Sequence, residues 1–196
     1  MYSRYNEGWI EVITGCMFAG KTEEFMRRIN RLQYAKRKVL VFKPKVDIRY
    51  DAKKVVSHKG VSITAIVIND PLEILKHINE NVAAVAIDEV QFFNPTIIEV
   101  IKQLADINKQ VIVAGLDQDF RGEPFSVMKE LLALAEFVTK LDAVCVECGQ
   151  AATRTQRIIN GKEAKYDDEI ILIGAQEQYE ARCRIHHRVI KSNQNK

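Results

Sequence analysis

Short apolar runs alternate along most of the chain with segments in which apolar residues recur at helical spacing. The runs predict strands at residues 9–13, 39–42, 61–68, 82–87, 111–114 and 141–145. Helical spacing predicts four helices. The first carries Phe25, Ile29 and Leu32 on one face, the second follows Asp70-Pro71, the third follows Asn94-Pro95, and the fourth spans residues 130–137. Strands that alternate with helices indicate an α/β fold with a mostly parallel sheet covered on both faces.

The pattern is different in two polar segments. Residues 45–60 are rich in charge and predict a long exposed loop, which in a compact domain is usually functional. After Val146 the chain becomes polar, Asn160-Gly161 is typical of a hairpin turn, and residues 170–173 are β-like. We therefore predict one α/β domain at 1–140, a small second domain at 141–190 and a disordered tail at 191–196.

Composition narrows the class of protein. Of 196 residues, 47% are apolar, which excludes disorder as the main state. The 29 basic and 26 acidic residues give a net charge of +3, which offers no support for a strongly basic nucleic-acid binder. No run is long and apolar enough for a signal peptide or a membrane helix. We expect a cytoplasmic protein with neither nucleic acid nor membrane as partner.

A phosphate-binding loop is the strongest motif. The pattern G-x-x-x-x-G-K-[ST] is matched by Gly15, Cys16, Met17, Phe18, Ala19, Gly20, Lys21 and Thr22. Glycines let the backbone amides turn toward an anion, the lysine charge reaches the outer phosphates, and the threonine hydroxyl can ligate Mg²⁺. The motif follows a predicted strand and opens a predicted helix, which favours nucleotide binding over a chance match.

Two acidic residues, Asp88 and Glu89, follow the predicted strand at 82–87. In phosphate-loop proteins an aspartate at this position holds Mg²⁺. The neighbouring glutamate is suited to act as a base on the hydroxyl that attacks a phosphate. An ordinary exposed acidic pair is the alternative, and the phosphate loop makes the functional interpretation the stronger one.

Cysteine spacing predicts a metal site. Cys145 and Cys148 form one two-residue knuckle, and Cys183 with His186 forms a second. Three thiolates and one imidazole suit tetrahedral Zn²⁺, and four protein ligands make a closed, structural site. A redox pair is the alternative for the first knuckle, and His187 is an alternative ligand to His186. Cys16 lacks a partner in the sequence and is interpreted as an inert small residue.

Several weaker signals leave their alternatives open. Arg49 lies in the charged loop and is either a phosphate ligand or a solvated side chain. Phe92, Phe93, Phe120 and Phe125 follow predicted strand ends and either line a pocket for a flat base or pack in the core. The roles of Asp117, Asp119 and Arg121 are undecided.

Taken together, the motifs resemble those of the type II thymidine kinases over residues 8–187. The phosphate loop and both metal knuckles carry this resemblance. Further carriers are Lys43-Pro44, Asp47-Ile48-Arg49-Tyr50, Ile87-Asp88-Glu89-Val90-Gln91-Phe92-Phe93, Gly115-Leu116-Asp117, Phe120 and Pro124-Phe125. His186 stands where the human-like members have cysteine, and histidine is an equally good zinc ligand.

The resemblance implies a P-loop NTPase (RecA-like) fold with a zinc-binding lasso domain. The implied reaction is transfer of the γ-phosphoryl group of Mg-ATP to the 5′-hydroxyl of thymidine or deoxyuridine. Glu89 would be the general base, and Asp88 and Thr22 would hold Mg²⁺. The phosphate loop, Gln91 and Arg49 would contact ATP or phosphate.

Base recognition and regulation are likewise implied by the resemblance. Contacts to thymine would come from Met17, Phe92, Leu116, Phe120, Phe125 and Tyr179. The lasso loop, including Leu172, Ile173 and Gly174, would read the base mainly through backbone groups. The family also implies a homotetramer, thymidine triphosphate as feedback inhibitor and a role in nucleotide salvage.

Two other functions compete on the residues alone. A RecA-like ATPase would use Asp88 and Glu89 to hydrolyse ATP without any nucleoside. A nucleic-acid binding zinc ribbon would use basic residues such as Arg182, Arg184 and Arg188, and its binding would be salt-sensitive.

Overall fold

The computed structural model describes residues 7–45, 54–56, 62–170 and 177–191. The chain divides into two compact units, described here over these residues. The first unit is formed from Met1–Thr14, Lys21–Gly115 and Ser126–Lys140. The second is formed from Gly15–Gly20, Leu116–Phe125 and Leu141–Lys196.

A six-stranded sheet forms the centre of the first unit. The strands of the first unit are β1 (Trp9–Gly15), β2 (Lys38–Pro44), β3 (Lys54–Val56), β4 (Ser62–Thr64), β5 (Ile66–Ile68), β6 (Val82–Ile87), β7 (Gln110–Leu116) and β8 (Phe137–Leu141). Of these, β3 and β4 form a separate two-stranded sheet. The helices are α1 (Lys21–Tyr34), α2 (Glu73–Lys76), α3 (Thr96–Asp106) and α4 (Ser126–Leu134). The strand order is β5-β2-β6-β7-β1-β8, and β5, β2, β6 and β7 run parallel. The predicted mostly parallel α/β sheet is confirmed.

Burial explains why these runs form central strands. Every residue of β1 and β7 is buried, which is typical of strands covered on both faces. Phe25, Met26 and Ile29 form the buried stripe of α1. Because the strands are parallel, the residues that follow β6 and β7 lie at one edge of the sheet.

The structure corrects two predicted elements around residue 137. The predicted helix at 130–137 begins earlier, at Ser126, and ends at Leu134, while the predicted strand at 141–145 is replaced by β8 and a two-residue strand at Ala143–Val144. The side chains of β8 alternate between half-buried and exposed. A short alternation of this kind next to a helix is easily assigned to the helix, because five residues are too few to distinguish the two-residue repeat of a strand from the 3.6-residue repeat of a helix.

The predicted exposed loop at 45–60 is wrong over its described middle part. Residues 54–56 form β3, which pairs antiparallel with β4, and Val55 is buried. The predicted strand at 61–68 is two short strands, β4 and β5. Two lysines precede Val55, and Ser57 and His58 follow Val56, so the two valines make too short an apolar run to reveal this strand in the sequence.

The second unit contains short antiparallel strands, namely β9 (Ala143–Val144), β10 (Ala151–Ala152), β11 (Arg154–Ile159), β12 (Lys162–Glu163) and β13 (Glu177–Arg182). Asn160 and Gly161, with φ values of 51° and 76°, connect β11 to β12, so the predicted hairpin is confirmed. Most of the β-like run at 170–173 and the tail after Lys191 lie outside the described residues.

Among the helices of the described chain, none has the length and apolar character needed to span a membrane.

A buried carboxylate joins α1 to the sheet. Glu11 on β1 accepts hydrogen bonds from the side chains of Trp9 at 2.7 Å and Gln110 at 2.6 Å. Arg28 on α1 donates to the other Glu11 oxygen at 2.6 Å and to Thr139 on β8 at 2.6 Å. Glu11 therefore accepts three hydrogen bonds, one of them from a cation, although the residue is only 1% exposed.

A second carboxylate, Glu24, supports the same helix and gives a testable pH dependence. Hydrogen bonds from Arg27, and to a smaller extent Arg28, outweigh partial burial and lower the pKa of Glu24 from 4.5 to about 2. This stabilisation is present above pH 4.5 and is lost as the pH falls toward 2. We expect Glu24→Gln to lower the free energy of unfolding by about 1 kcal/mol at pH 7, after allowance for solvent screening.

The measurement is urea unfolding of the variant and the parent at pH 7, 5 and 3.5. The control is Glu99→Gln, which breaks an exposed pair with Lys102 and should cost less than about 0.5 kcal/mol. A cost for Glu24→Gln that is the same at all three pH values would contradict the prediction.

Candidate functional site

Two acidic residues stand directly after β6 in the first unit. The Asp88 amide donates to the carbonyl of Phe42 on β2 at 2.9 Å, which continues the parallel ladder. The Asp88 carboxylate in turn accepts the Glu89 amide at 3.0 Å, and Asp88 is buried. The predicted metal-binding aspartate therefore has a fixed backbone position at the carboxyl edge of the sheet.

Glu89 adopts a backbone conformation that is unfavourable for its residue type. Its φ and ψ are 49° and 40°, in the left-handed region, and a short 3-10 turn at Val90–Phe92 follows. A non-glycine residue in such a region costs about 1–3 kcal/mol and persists where the surrounding structure enforces it. This strain at a half-buried carboxylate marks Glu89 as a candidate functional residue.

Gln91 orients the Glu89 carboxylate. Its side-chain amide donates to a Glu89 oxygen at 2.5 Å. The side-chain oxygen of Gln91, Oε1, lies against Gly115 on β7. A Cβ atom added to Gly115 would be 2.5 Å from this oxygen. Thr14 on β1 donates to the Gly115 carbonyl at 3.0 Å. Gln91 was expected to contact ATP, and its contact with Glu89 was not apparent from the sequence.

The phosphate loop joins β1 to α1 with an unusual backbone. Phe18 and Gly20 have positive φ values of 64° and 81°, as bends that present backbone amides to an anion require. Gly15 allows a close approach, because a Cβ there would lie 2.2 Å from the Leu141 carbonyl oxygen. Lys21 and Thr22 form the first turn of α1.

One side chain and one backbone amide of this loop already make hydrogen bonds within the second unit. The Cys16 thiol is 2% exposed and donates to the Ala152 carbonyl at 3.2 Å, so its interpretation as an inert residue agrees with its burial. The Met17 amide donates to the Thr155 hydroxyl at 3.1 Å. This amide is therefore committed to β11, and Phe18 is exposed.

In the segment after β7, two arginine side chains lie against the ring of Phe120. The Asp119 carboxylate accepts the amides of Arg121 and Glu123 and so closes a tight turn. The guanidinium carbons of Arg121 and Arg157 lie 5.3 Å and 5.0 Å from the centre of the Phe120 ring. Asp119 is thus a turn residue, and the Phe120 ring is stabilised by cation–π contacts.

A further set of contacts joins this turn to the segment before residue 171. The Tyr166 hydroxyl donates to the Glu123 carboxylate, and this hydrogen bond raises the pKa of Tyr166. Arg121 lies 5.1 Å from the Tyr166 ring centre and donates to the Asp168 carbonyl at 2.7 Å. The sequence does not reveal Tyr166, because a tyrosine in a polar hairpin resembles an ordinary surface residue.

The two cysteine knuckles meet at one point of the second unit. The Cys145, Cys148, Cys183 and His186 ligand atoms all lie within 4.8 Å of one another. Two of the separations are 3.9 Å between the Cys148 and Cys183 sulfurs and 3.2 Å between Cys183 Sγ and His186 Nδ1. Zinc–sulfur bonds of about 2.3 Å in a tetrahedron place two sulfurs about 3.8 Å apart, so this Cys3His group can hold a metal ion such as zinc.

The environment of Cys145 favours the thiolate that a metal requires. Burial raises the pKa of the Cys145 thiol, but backbone amides of the knuckles and the His186 side chain outweigh it and lower the pKa to about 6. His187, in contrast, donates from Nε2 to the Phe120 carbonyl at 2.8 Å. The structure therefore brings His186, and not His187, to the thiols.

The remaining predicted site residues divide into two groups. Phe92, Phe125 and Tyr179 are half-buried, and Leu116 is buried. Tyr179 lies on β13 opposite Arg157 of β11. The residues Arg49, Leu172, Ile173 and Gly174 lie outside the described residues.

Comparison with known proteins assigns the family. The family model for thymidine kinase matches residues 8–187 of this chain. The chain belongs to the thymidine kinase family. A solved structure, domain III of the Thermotoga maritima replication initiation protein DnaA, is similar at 20% identity with a TM-score of 0.40, over 71% of this chain and 55% of that chain. The thymidine kinase match supports a nucleoside kinase, which is a transferase that binds nucleotides.

The metal site of this thymidine kinase family member can be tested by exchanging its two histidines separately. We expect His186→Asn to lose bound zinc, because it removes the nitrogen ligand, and His187→Asn to keep zinc at the parent level. The measurement is metal content per chain by mass spectrometry after dialysis. Equal zinc loss in both variants would contradict the ligand assignment.

Proposed function

We propose that the chain is an ATP-dependent thymidine kinase. It transfers the γ-phosphoryl group of Mg-ATP to the 5′-hydroxyl of thymidine, and also of deoxyuridine, and so supplies thymidine monophosphate in nucleotide salvage. The observation that carries this proposal is the strained, Gln91-oriented carboxylate of Glu89 at the carboxyl edge of the sheet, in a chain of the thymidine kinase family.

Glu89 is proposed as the general base. Its carboxylate accepts the proton of the 5′-hydroxyl as the oxygen attacks the γ-phosphorus and the β,γ-bridging oxygen leaves with ADP. The hydrogen bond from Gln91 limits rotation of the carboxylate, which favours a productive geometry. Gln91 is therefore a positioning residue in this proposal.

The donor set fits Mg-ATP. Thr22 supplies a hydroxyl and Asp88 a carboxylate, and Mg²⁺ prefers such oxygen ligands. Lys21 at the start of α1 supplies a positive charge for the β- and γ-phosphates, and the positive-φ bends at Phe18 and Gly20 favour a cradle of backbone amides. The Met17 amide is bound to Thr155. Bound Mg²⁺ would neutralise the charge of the phosphates during transfer. Arg49 is proposed as a further phosphate contact.

Thymine recognition is proposed for residues from several segments, namely Met17, Phe92, Leu116, Phe120, Phe125, Tyr179, Leu172, Ile173 and Gly174. Support comes from Phe120, whose ring and carbonyl are both fixed, the latter by His187. The contacts of Tyr166 and Arg121 hold the segment that leads to residues 171–176. Zinc at the Cys3His group has a structural role, since four protein ligands leave no open position. Homotetramer formation and inhibition by thymidine triphosphate complete the proposal.

The reaction itself is tested by following labelled γ-phosphate from Mg-ATP with a panel of nucleosides. We expect label in thymidine monophosphate and in deoxyuridine monophosphate, and none with deoxycytidine or deoxyadenosine. A reaction without nucleoside is the control. Label released as free phosphate whether or not a nucleoside is present would overturn the kinase proposal and indicate an ATPase.

The role of Glu89 is tested by Glu89→Gln, which keeps the side-chain shape but removes the base. We expect kcat to fall by about 10² or more, with little change in the KM for ATP. Glu80→Gln, at an exposed position before β6, is the matched control and should behave like the parent. A Glu89→Gln variant that turns over at the parental rate would remove Glu89 from the mechanism.

A further inference from the structure

A cavity of about 220 Å³ lies in the first unit beside α1. Four arginines of its lining, Arg27, Arg28, Arg31 and Arg37, come from α1 and the turn that follows it. Arg31 stands ten residues after Lys21, which corresponds to about 15 Å along the helix axis. Gln110, the first residue of β7, also lines the cavity, so the cavity lies at the sheet edge opposite to Asp88.

The cavity carries more positive charge than its carboxylates neutralise. Arg27 and Arg28 pair with Glu24, and Arg28 also pairs with Glu11. Within the described chain, neither Arg31 nor Arg37 makes an ion pair or a side-chain hydrogen bond. Two exposed guanidinium groups are therefore available at the mouth of the cavity.

The inner wall of the cavity is fixed before any ligand binds. Glu11 and Gln110 are buried and hydrogen-bonded to each other, and Arg28 is held by Glu11, Glu24 and Thr139. Leu32 and Ala35 add apolar lining. A site with two available guanidinium groups over a rigid, partly apolar wall suits a dianion that carries a small apolar body, because guanidinium pairs with phosphate oxygens in bidentate geometry.

We propose that this cavity binds a small phosphate ester, with Arg31 and Arg37 as its phosphate ligands. The volume of about 220 Å³ is below the range of about 300 Å³ and more that drug-sized ligands occupy, so a compact phosphate ester fits better than a nucleoside triphosphate. None of the lining residues belongs to the phosphate loop, and the proposal does not depend on the kinase reaction.

The test is isothermal titration calorimetry with phenyl phosphate as the probe. Saturating Mg²⁺ and a non-hydrolysable ATP analogue are present throughout, so that the phosphate loop is filled. We expect one binding event per chain in the parent protein, and at least about tenfold weaker binding in the double variant Arg31→Gln/Arg37→Gln. Kinase activity and zinc content of this variant should equal those of the parent, which shows that it folds.

Two further variants make the result specific. Lys76→Gln/Lys129→Gln removes the same charge at exposed positions of α2 and α4 and should bind the probe as the parent does. Ala35→Glu adds a carboxylate to the cavity lining and should abolish binding with all arginines in place. Absence of binding in the parent, unchanged binding in the arginine variant, or equal weakening in both double variants would overturn the proposal.

Discussion

The buried carboxylate of Glu11 is the interaction on which the first unit depends. A charge removed from water is costly unless donors surround it, and here Trp9, Gln110 and Arg28 supply them. These donors belong to β1, β7 and α1, so a single anion links the helix to two strands, in addition to the packing of Phe25, Met26 and Ile29. Because α1 begins at Lys21, the same anion also helps to position this lysine, which is the proposed phosphate ligand.

Much of the fold was accessible from the sequence because its strands are covered on both faces. The runs that became β6 and β7 are apolar throughout, and the turn at Asn160-Gly161 requires positive φ, which its residues favour. Val55 and β8 were missed, since one buried residue, or five that alternate weakly, give too little pattern. Tertiary pairing decides the conformation of such segments.

In the candidate site, too, some features could be predicted from the sequence and others could not. The two metal knuckles and the phosphate loop can be recognised in the amino-acid sequence alone, because their chemistry requires a fixed spacing of residues. Contacts between distant segments cannot, and the hydrogen bond from Tyr166 to Glu123 and the cation–π contact of Arg157 with Phe120 are examples. Arg157 is fully buried, although nothing in the polar segment around it distinguishes it from its neighbours.

A cluster of small buried residues in the second unit lies next to the candidate metal site. The buried members of this cluster are Cys16, Ala143, Cys145, Ala152 and Ala181. Side chains of this size bury little apolar area, so their hydrophobic contribution is small. A metal ion held by the Cys3His group would add to this stability, because metal binding and folding are coupled in such units. Since Cys145 belongs both to this core and to the ligand set, packing and coordination are linked in one residue.

The left-handed backbone of Glu89 has a consequence for protein engineering. Glycine adopts φ 49° without steric cost, so a screen that selects for thermal stability alone would favour glycine at position 89. The same replacement removes the carboxylate that the proposed reaction requires. Stability and activity are thus opposed at this residue, and a stabilisation campaign has to leave position 89 unchanged.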